Sequence, residues 1–328
     1  MSDPRVEIAR YSLALARPFR FAGTTLTRRD GFFVRIDGRG VGEVAPMPGV
    51  HREGVDECLA ILRERGPLDL DGMPSALAFG VSCALECDEP ILRSPLRPSI
   101  GVNALFVGDA AAARAAIDAR RFEGANTIKV KVARREDRAT VETLLDGLGP
   151  AVRLRLDANR GLAFDDAVAL VAGLPPDRIE YLEEPLDDPL RLPELHHATG
   201  HSIALDESLL EPNSRAALET APGVTTHVLK PSLHGSLARV RARAERTARQ
   251  LLGTTVSSAL ETNFTLRLLA RLVTWLPSAE GDHGLGTSGM LVGDPTTAPT
   301  ITGGRMSTGE PVASPNVAFT PIEECDVR

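Results

Sequence analysis

The pattern of apolar and polar positions changes character near residue 97. Before it, VEIARYSLAL and GFFVRIDGRGVGEVAP read as strands separated by glycine and charged turns, while GVDECLAILRERG and PSALAFGVSCALEC carry apolar residues at helical spacing. Strands followed by helices predict a small α+β domain over residues 1–97. The stretch SPLRPSIG then punctuates the chain. Beyond it, short strands alternate with Ala/Leu/Arg-rich helical stretches. The strands are expected at 100–106, 127–132, 153–159, 179–185, 202–208, 226–232 and 253–261. Alternating βα units predict an α/β fold with a parallel sheet over residues 98–293.

Charged residues sharpen that expectation. Lys131, Asp157, Glu183, Asp206 and Lys230 stand at or near the C-terminal ends of their strands, 26, 26, 23 and 24 residues apart. That is close to one βα unit per charge, and such residues converge only if the strands close around an axis. A barrel does so, with its active site at the C-terminal mouth. An open doubly wound sheet would call for a Gly-rich first turn, and the chain has none.

Strand residues two apart share a face, so Lys129 and Lys131 project together, as do Arg155, Asp157 and Asn159. If those faces point into the mouth, three carboxylates stand among three lysines. Oxygen ligands from neighbouring strands suit Mg²⁺, and no Cys or His joins the set to favour a softer metal. The competing interpretation is a set of ion pairs between neighbouring strands. A dication would relieve the repulsion among the carboxylates and help keep a nearby lysine deprotonated, so that it can act as a general base. Proton abstraction beside a carboxylate gives a dianionic enediolate, which a divalent metal and an opposing lysine would stabilise. Lys230 is placed to face Lys131 across the barrel.

Composition removes several classes of partner. Of the 328 residues 43% are apolar and 25% charged, ordinary for a globular protein, and the net charge is −7 without a Lys/Arg-rich run. Nucleic acid and anionic membrane are thereby disfavoured and a small molecule is the expected partner, which the proton abstraction above makes a carboxylate. Nothing in the sequence implies a protein partner. Cys58, Cys83, Cys87 and Cys325 form no CxxC and are expected as free thiols in a reducing cytoplasm. There is no apolar signal core and no run approaching the roughly 18 apolar residues of a membrane span.

The segments KVK, LDAN, LEEP, LDES and LKPS, in that order and spacing, resemble the enolase superfamily and its muconate-lactonizing-type subgroup; the superfamily's pairing of a Lys or His base with Mg²⁺ is a known pattern. GEVAPMPG (42–49), PSALAFGVSCALE (74–86), VSSALET (256–262) and HGLGT (283–287) narrow the likeness to the o-succinylbenzoate synthase family. The resemblance covers nearly the whole chain. It implies a (β/α)7β modified TIM barrel under an α+β capping domain, with residues 294–328 returning to the cap. By the same likeness Asp157, Glu183 and Asp206 are the Mg²⁺ ligands, with Mn²⁺ as a substitute metal, Lys131 is the base and Lys230 a cation facing the intermediate. Lys129 and Asn159 would support the substrate carboxylate and the metal shell.

The implied reaction is the syn dehydration of 2-succinyl-6-hydroxy-2,4-cyclohexadiene-1-carboxylate to o-succinylbenzoate, in menaquinone biosynthesis. Arg155 is expected to pair with a substrate carboxylate, or else to be an interstrand ion-pair partner. Gly235, Ser257 and Ser258 are expected in the succinyl pocket, the serines alternatively as strand-end turn residues. Residues 17–31 resemble a mobile loop closing over substrate, with Gly23 lending flexibility, whereas Val50 and His51 depart from the aromatic and small hydroxyl residues often found there in the family. Glu184 is expected beside the metal ligands rather than among them, and the remaining histidines at the surface or behind the site. Three rival readings use the same residues: an N-succinylamino-acid racemase with Lys131 and Lys230 on opposite faces of an α-carbon, a metal-free Schiff-base aldolase, and a binding protein without catalysis.

Overall fold

The computed structural model describes residues 4–21 and 24–325, so the role expected of Gly23 falls outside the described residues. Strands β1 (Val6–Phe21), β2 (Thr24–Ile36) and β3 (Gly40–Val44) form an antiparallel meander. Val6 lies opposite Ile36 and Ala14 opposite Arg28; after a register shift, Phe19 faces Leu26. Val6, Ile8, Phe32, Val34 and Val44 bury against helices α1 (Val55–Arg65) and α2 (Ser75–Leu85), which contribute Leu59, Leu62, Leu77 and Val81. Ala9, Phe33 and Val41 join the core shared with the barrel instead. This sheet is apolar on both sides because both are covered. β3 approaches α2 so closely that a Cβ on Gly42 would overlap the Gly80 carbonyl.

The barrel strands are β4 (Ser99–Val102), β5 (Ala104–Phe106), β6 (Thr127–Lys131), β7 (Arg153–Asp157), β8 (Ile179–Glu183), β9 (Ile203–Leu205), β10 (Val224–Leu229) and β11 (Gly253–Val256). β5 to β11 form a seven-stranded parallel sheet in sequential order. A further strand, β12 (Asp282–His283), pairs in parallel with β4, and Gly284 bridges to Ser257 just past β11. Gly284 N donates to the Val256 carbonyl at 2.8 Å and Asn103 N to that of His283 at 3.0 Å, which closes the sheet. A helix follows each strand from β5 to β11, among them Ala110–Asp118, Arg138–Gly147 and Asn263–Trp275. The result is the expected (β/α)7β barrel.

Ile128 and Val130 of β6 pack outward with Val141 and Leu144 in the core beneath the helices. By strand alternation Lys129 and Lys131 therefore point inward. The outer face is apolar and the inner face polar, so a buried strand carries two ammonium groups without contradiction.

After the barrel, β13 (Leu291–Val292) and β16 (Thr320–Pro321) pair with β1, while the hairpin β14 (Ile301–Thr302) and β15 (Arg305–Ser307) lies along β4. A division at residue 294 is therefore too simple: β13 joins the cap before it, and the hairpin after it rests on the barrel. No helix among the described residues is long and apolar enough to cross a membrane.

Candidate active site

The strands end sooner than the apolar pattern predicts. β7 stops at Asp157, β8 at Glu183, β9 at Leu205 and β11 at Val256. Left-handed backbone follows at Asn159 (φ 44°), Arg160 (φ 60°), Glu184 (φ 38°) and Leu260 (φ 60°), turning the chain out of the sheet at its mouth. Lys131, Asp157, Glu183, Asp206 and Lys230 sit at strand ends or just beyond them.

In the sheet Lys131 pairs with Asp157, and Asp157 with Glu183. Lys129 Nζ donates to Asp157 Oδ2 at 2.6 Å and to Glu183 Oε1 at 2.7 Å. Lys131 Nζ donates to Asp157 Oδ2 at 2.7 Å and to Asn159 Oδ1. Lys230 donates to Asp206 Oδ2. Asn159 thus reaches the site through a left-handed turn rather than by strand alternation; its own N–H returns to Asp157 Oδ1 at 3.1 Å and its amide donates to Glu207 Oε1 at 3.0 Å. Asp157, Glu183 and Asp206 are all buried.

Burial alone would push the Asp157 carboxyl up, but Lys129 and Lys131 outweigh it and hold it well below the usual carboxylate range. Burial likewise opposes charge on Lys129, and Asp157 and Glu183 reverse the balance, so the ammonium is retained. Burial, reinforced by the charge of Asp157, raises the Glu183 carboxyl.

The three carboxylates form an oxygen-only donor set, which suits a hard dication. Glu183 Oε2 is buried without a hydrogen-bond partner, an acceptor available to such an ion. The side chains nevertheless depart from the expected cage. Among the described residues no three acidic, His or Cys groups stand as a ready-made metal cluster. The reason is electrostatic: the ammonium groups of Lys129, Lys131 and Lys230 draw the carboxylate oxygens into ion pairs.

A cavity opens above this charged floor. Lys129, Lys131, Asp157 and Lys230 give it its charged lining, Ser257, Ser258 and Thr287 add hydroxyls, and Phe19, Met47, Val50, Leu105 and Leu260 add an apolar wall. The arrangement suits a compact anion with a partly apolar body. Of these, Phe19, Met47, Leu105 and Leu260 were not singled out from sequence, since an apolar residue on a strand or a loop carries no mark distinguishing a pocket wall from a core. Val50, which departs from the residue type often found there in the family, is itself part of the wall. His51 accepts from Met47 N at 2.8 Å through Nδ1 and, with Nε2 protonated, donates to the Ser232 carbonyl at 3.1 Å, tying cap to barrel.

Two expected substrate contacts are corrected. Arg155 is 1% exposed and does not line the cavity: its Nε and Nη2 bind Glu180 at 3.1 and 3.0 Å, and its guanidinium lies 4.9 Å from the centre of the Tyr181 ring. It sits in the layer below the carboxylates, so the ion-pair interpretation holds. Gly235 ends the short helix Pro231–His234 with φ 97° and also lies away from the cavity lining; its role is to turn the chain. Glu184 is fully buried and accepts from the N–H groups of Asp206 and Ser208, both at 2.8 Å, from Ser208 Oγ and from Arg160. It fixes the turn that carries Asp206.

Comparison with known proteins agrees with this architecture. Residues 110–300 match the family described as "Enolase C-terminal domain-like", and residues 4–88 match "MenC, N-terminal domain". The o-succinylbenzoate synthase of Yersinia enterocolitica is 34% identical over 82% of this chain and 86% of its own. That of an Enterobacter species is 36% identical over 76% and 81%. Among solved structures, an o-succinylbenzoate synthase from Thermosynechococcus elongatus, complexed with Mg in its active site, superposes with a TM-score of 0.72 at 27% identity, covering 91% of this chain and 96% of its own. The L-Ala-D/L-Glu epimerase of Bacillus subtilis reaches a TM-score of 0.80 at 21% identity over 98% of both chains, a likeness of fold. The chain belongs to the o-succinylbenzoate synthase family of the enolase superfamily.

Proposed function

We propose that this chain dehydrates 2-succinyl-6-hydroxy-2,4-cyclohexadiene-1-carboxylate to o-succinylbenzoate, as a cytoplasmic step of menaquinone biosynthesis, with Mg²⁺ held by Asp157, Glu183 and Asp206. The supporting observation is the placement of Lys131 and Lys230. They stand at the ends of β6 and just beyond β10, four strands apart in an eight-stranded barrel and hence on opposite walls, and both line one cavity.

A divalent cation bound there would compete with the lysines for the carboxylates and supply positive charge beside the substrate carboxylate. Lys131, acting as the neutral amine once released from Asp157, removes the proton from the ring carbon bearing that carboxylate. The C–H electron pair moves into the carboxylate to give the enediolate, then returns to form the new ring double bond as the bond from C6 to its hydroxyl breaks, and the hydroxide leaves on the same face with the proton from Lys131 as water. Burial disfavours charge on Lys230, but Asp206 outweighs it, so this ammonium persists to face the enediolate from the other side. Lys129 holds Asp157 and Glu183 in place, and Asn159 orients Lys131. Ser258, Thr287 and the apolar wall accommodate the succinyl arm and exclude water.

The opposed lysines also fit proton exchange at an α-carbon, so racemisation of N-succinylamino acids is the second reading. One experiment separates these. The purified protein is mixed with the cyclohexadiene carboxylate and Mg²⁺ while diene absorbance is followed, with N-succinylamino acids run in D₂O beside it. Dehydration that stops with EDTA and resumes with Mg²⁺ or Mn²⁺ supports the dehydratase; α-deuterium exchange without dehydration makes it a racemase. EDTA-insensitive turnover with borohydride trapping of substrate would indicate Schiff-base chemistry, and ligand affinity without turnover a binding protein. Lys131→Ala is expected to abolish dehydration with an unchanged circular dichroism spectrum, and appreciable turnover by that folded variant would refute the base assignment.

A further inference from the structure

The cap meets the barrel at a loop held in a costly conformation. Residues 257–262 follow β11, and Ser257, Ser258, Ala259 and Leu260 line the cavity. Leu260 has φ 60°, a region that crowds any side chain with a Cβ.

Several main-chain groups of this loop end on buried charged side chains, while the N–H groups of Ser257 and Ser258 bond the barrel carbonyls of Leu229 and Gly284. Arg29 of β2, 1% exposed, donates from Nε to the Leu260 carbonyl at 3.2 Å and from Nη2 to that of Ala259 at 3.3 Å. Its other bonds reach the cap carbonyls of Ala45 (2.7 Å) and Pro46 (2.9 Å). Glu43 of β3 accepts from Thr262 N at 3.0 Å, Thr262 Oγ1 at 2.7 Å and Thr265 Oγ1 at 2.6 Å, and from the Tyr11 hydroxyl at 2.5 Å. Leu260 itself packs in a small apolar cluster with Leu15, Leu26 and Met47 of the cap. A loop that sustained its own bend would pair its polar groups internally or with water. Here Ala259 N is paired internally, with Glu261 Oε2 at 2.6 Å, but the carbonyls of Ala259 and Leu260 and the N–H of Thr262 take their partners from the cap.

We infer that Arg29 and Glu43 are positioning residues through which the cap shapes the substrate pocket. They hold residues 257–262 in their left-handed bend and so set the wall against which the non-reacting arm of the substrate lies. Lys131 is oriented by Asp157 and Asn159, which share no hydrogen bond with either residue, so the two act on substrate affinity and selectivity rather than on proton transfer. This assignment of a substrate arm rests on the proposed dehydratase reading.

The test uses Arg29→Met, which removes the donors while keeping much of the volume, with Arg29→Lys and Glu43→Gln as milder variants. Amide hydrogen exchange is measured by mass spectrometry over peptides covering 257–265 and, for reference, the β6 strand; kcat and KM are measured with the cyclohexadiene carboxylate. Exchange in 257–265 is expected to rise about tenfold or more while β6 is unchanged. KM should rise about tenfold with kcat within about threefold of wild type, and Arg29→Lys should recover part of both effects. Unchanged exchange in a folded Arg29→Met, or a fall in kcat matching the fall in kcat/KM, overturns the inference. Should Arg29→Met not fold, the milder variants are judged by the same criteria. If the wild type does not turn over the diene, the dehydratase reading fails, while the exchange measurement, which needs no substrate, still decides whether the cap holds the loop.

Discussion

Replacing Arg155 by methionine tests whether this residue serves the substrate or the barrel. The guanidinium is 1% exposed and makes a bidentate pair with Glu180 at 3.1 and 3.0 Å. It also donates to Asn103 Oδ1 at 3.4 Å and lies over Tyr181. Without it, Glu180 retains only Thr127 Oγ1 at 3.4 Å and Arg153 at 3.8 Å, both long. Glu180 is 18% exposed at its side chain, so a carboxylate left so poorly compensated costs about 3 kcal/mol, the low end for a broken buried pair. Replacing both partners by apolar residues removes the stranded charge, so Arg155→Met/Glu180→Met should be much less unstable than the sum of the singles, with a coupling of about 2–4 kcal/mol. Urea denaturation followed by far-UV circular dichroism gives the four stabilities of the cycle. KM for the cyclohexadiene carboxylate should change little in any variant that folds. Additive single and double losses, or an Arg155→Met protein of wild-type stability with a strongly raised KM, would refute the structural role and return Arg155 to the substrate.

Acid should destabilise the fold through buried neutral histidines. Burial lowers His227 to about 4 and His283 to about 3, against 6.5 when exposed. The unfolded chain therefore binds protons that the native state refuses, so stability is full above about pH 6.5 and falls as pH drops toward 4 and then 3, by about 3 kcal/mol for His227 at the order-of-magnitude level. Urea midpoints that stay flat from pH 7 to 4 would contradict this. Glu184→Ala should cost about 3 kcal/mol or more, because it strands the N–H groups of Asp206 and Ser208 and the Arg160 guanidinium. Glu184→Gln should recover part of that loss by restoring an acceptor, and an alanine variant losing under about 1 kcal/mol would show that water can replace the carboxylate.

The barrel and the row of charged groups at its mouth were legible in the sequence because they rest on short-range periodicities. Side chains two apart share a strand face, and one charge per βα unit places Lys131, Asp157, Glu183, Asp206 and Lys230 at one mouth whatever the helices between them do in detail. Strand ends were less legible, since left-handed turns at Asn159 and Glu184 interrupt a pattern that composition alone would extend. What only the tertiary structure decided is which of several compatible partners each charge takes. Arg155 had a carboxylate of the substrate or of a neighbouring strand open to it, and the packing of β7 on β8 puts Glu180 within reach. Arg29 and Glu43 meet their partners in the 259–262 loop across 231 and 219 positions of sequence. No local pattern encodes such a meeting, because it exists only once the cap has docked on the closed barrel.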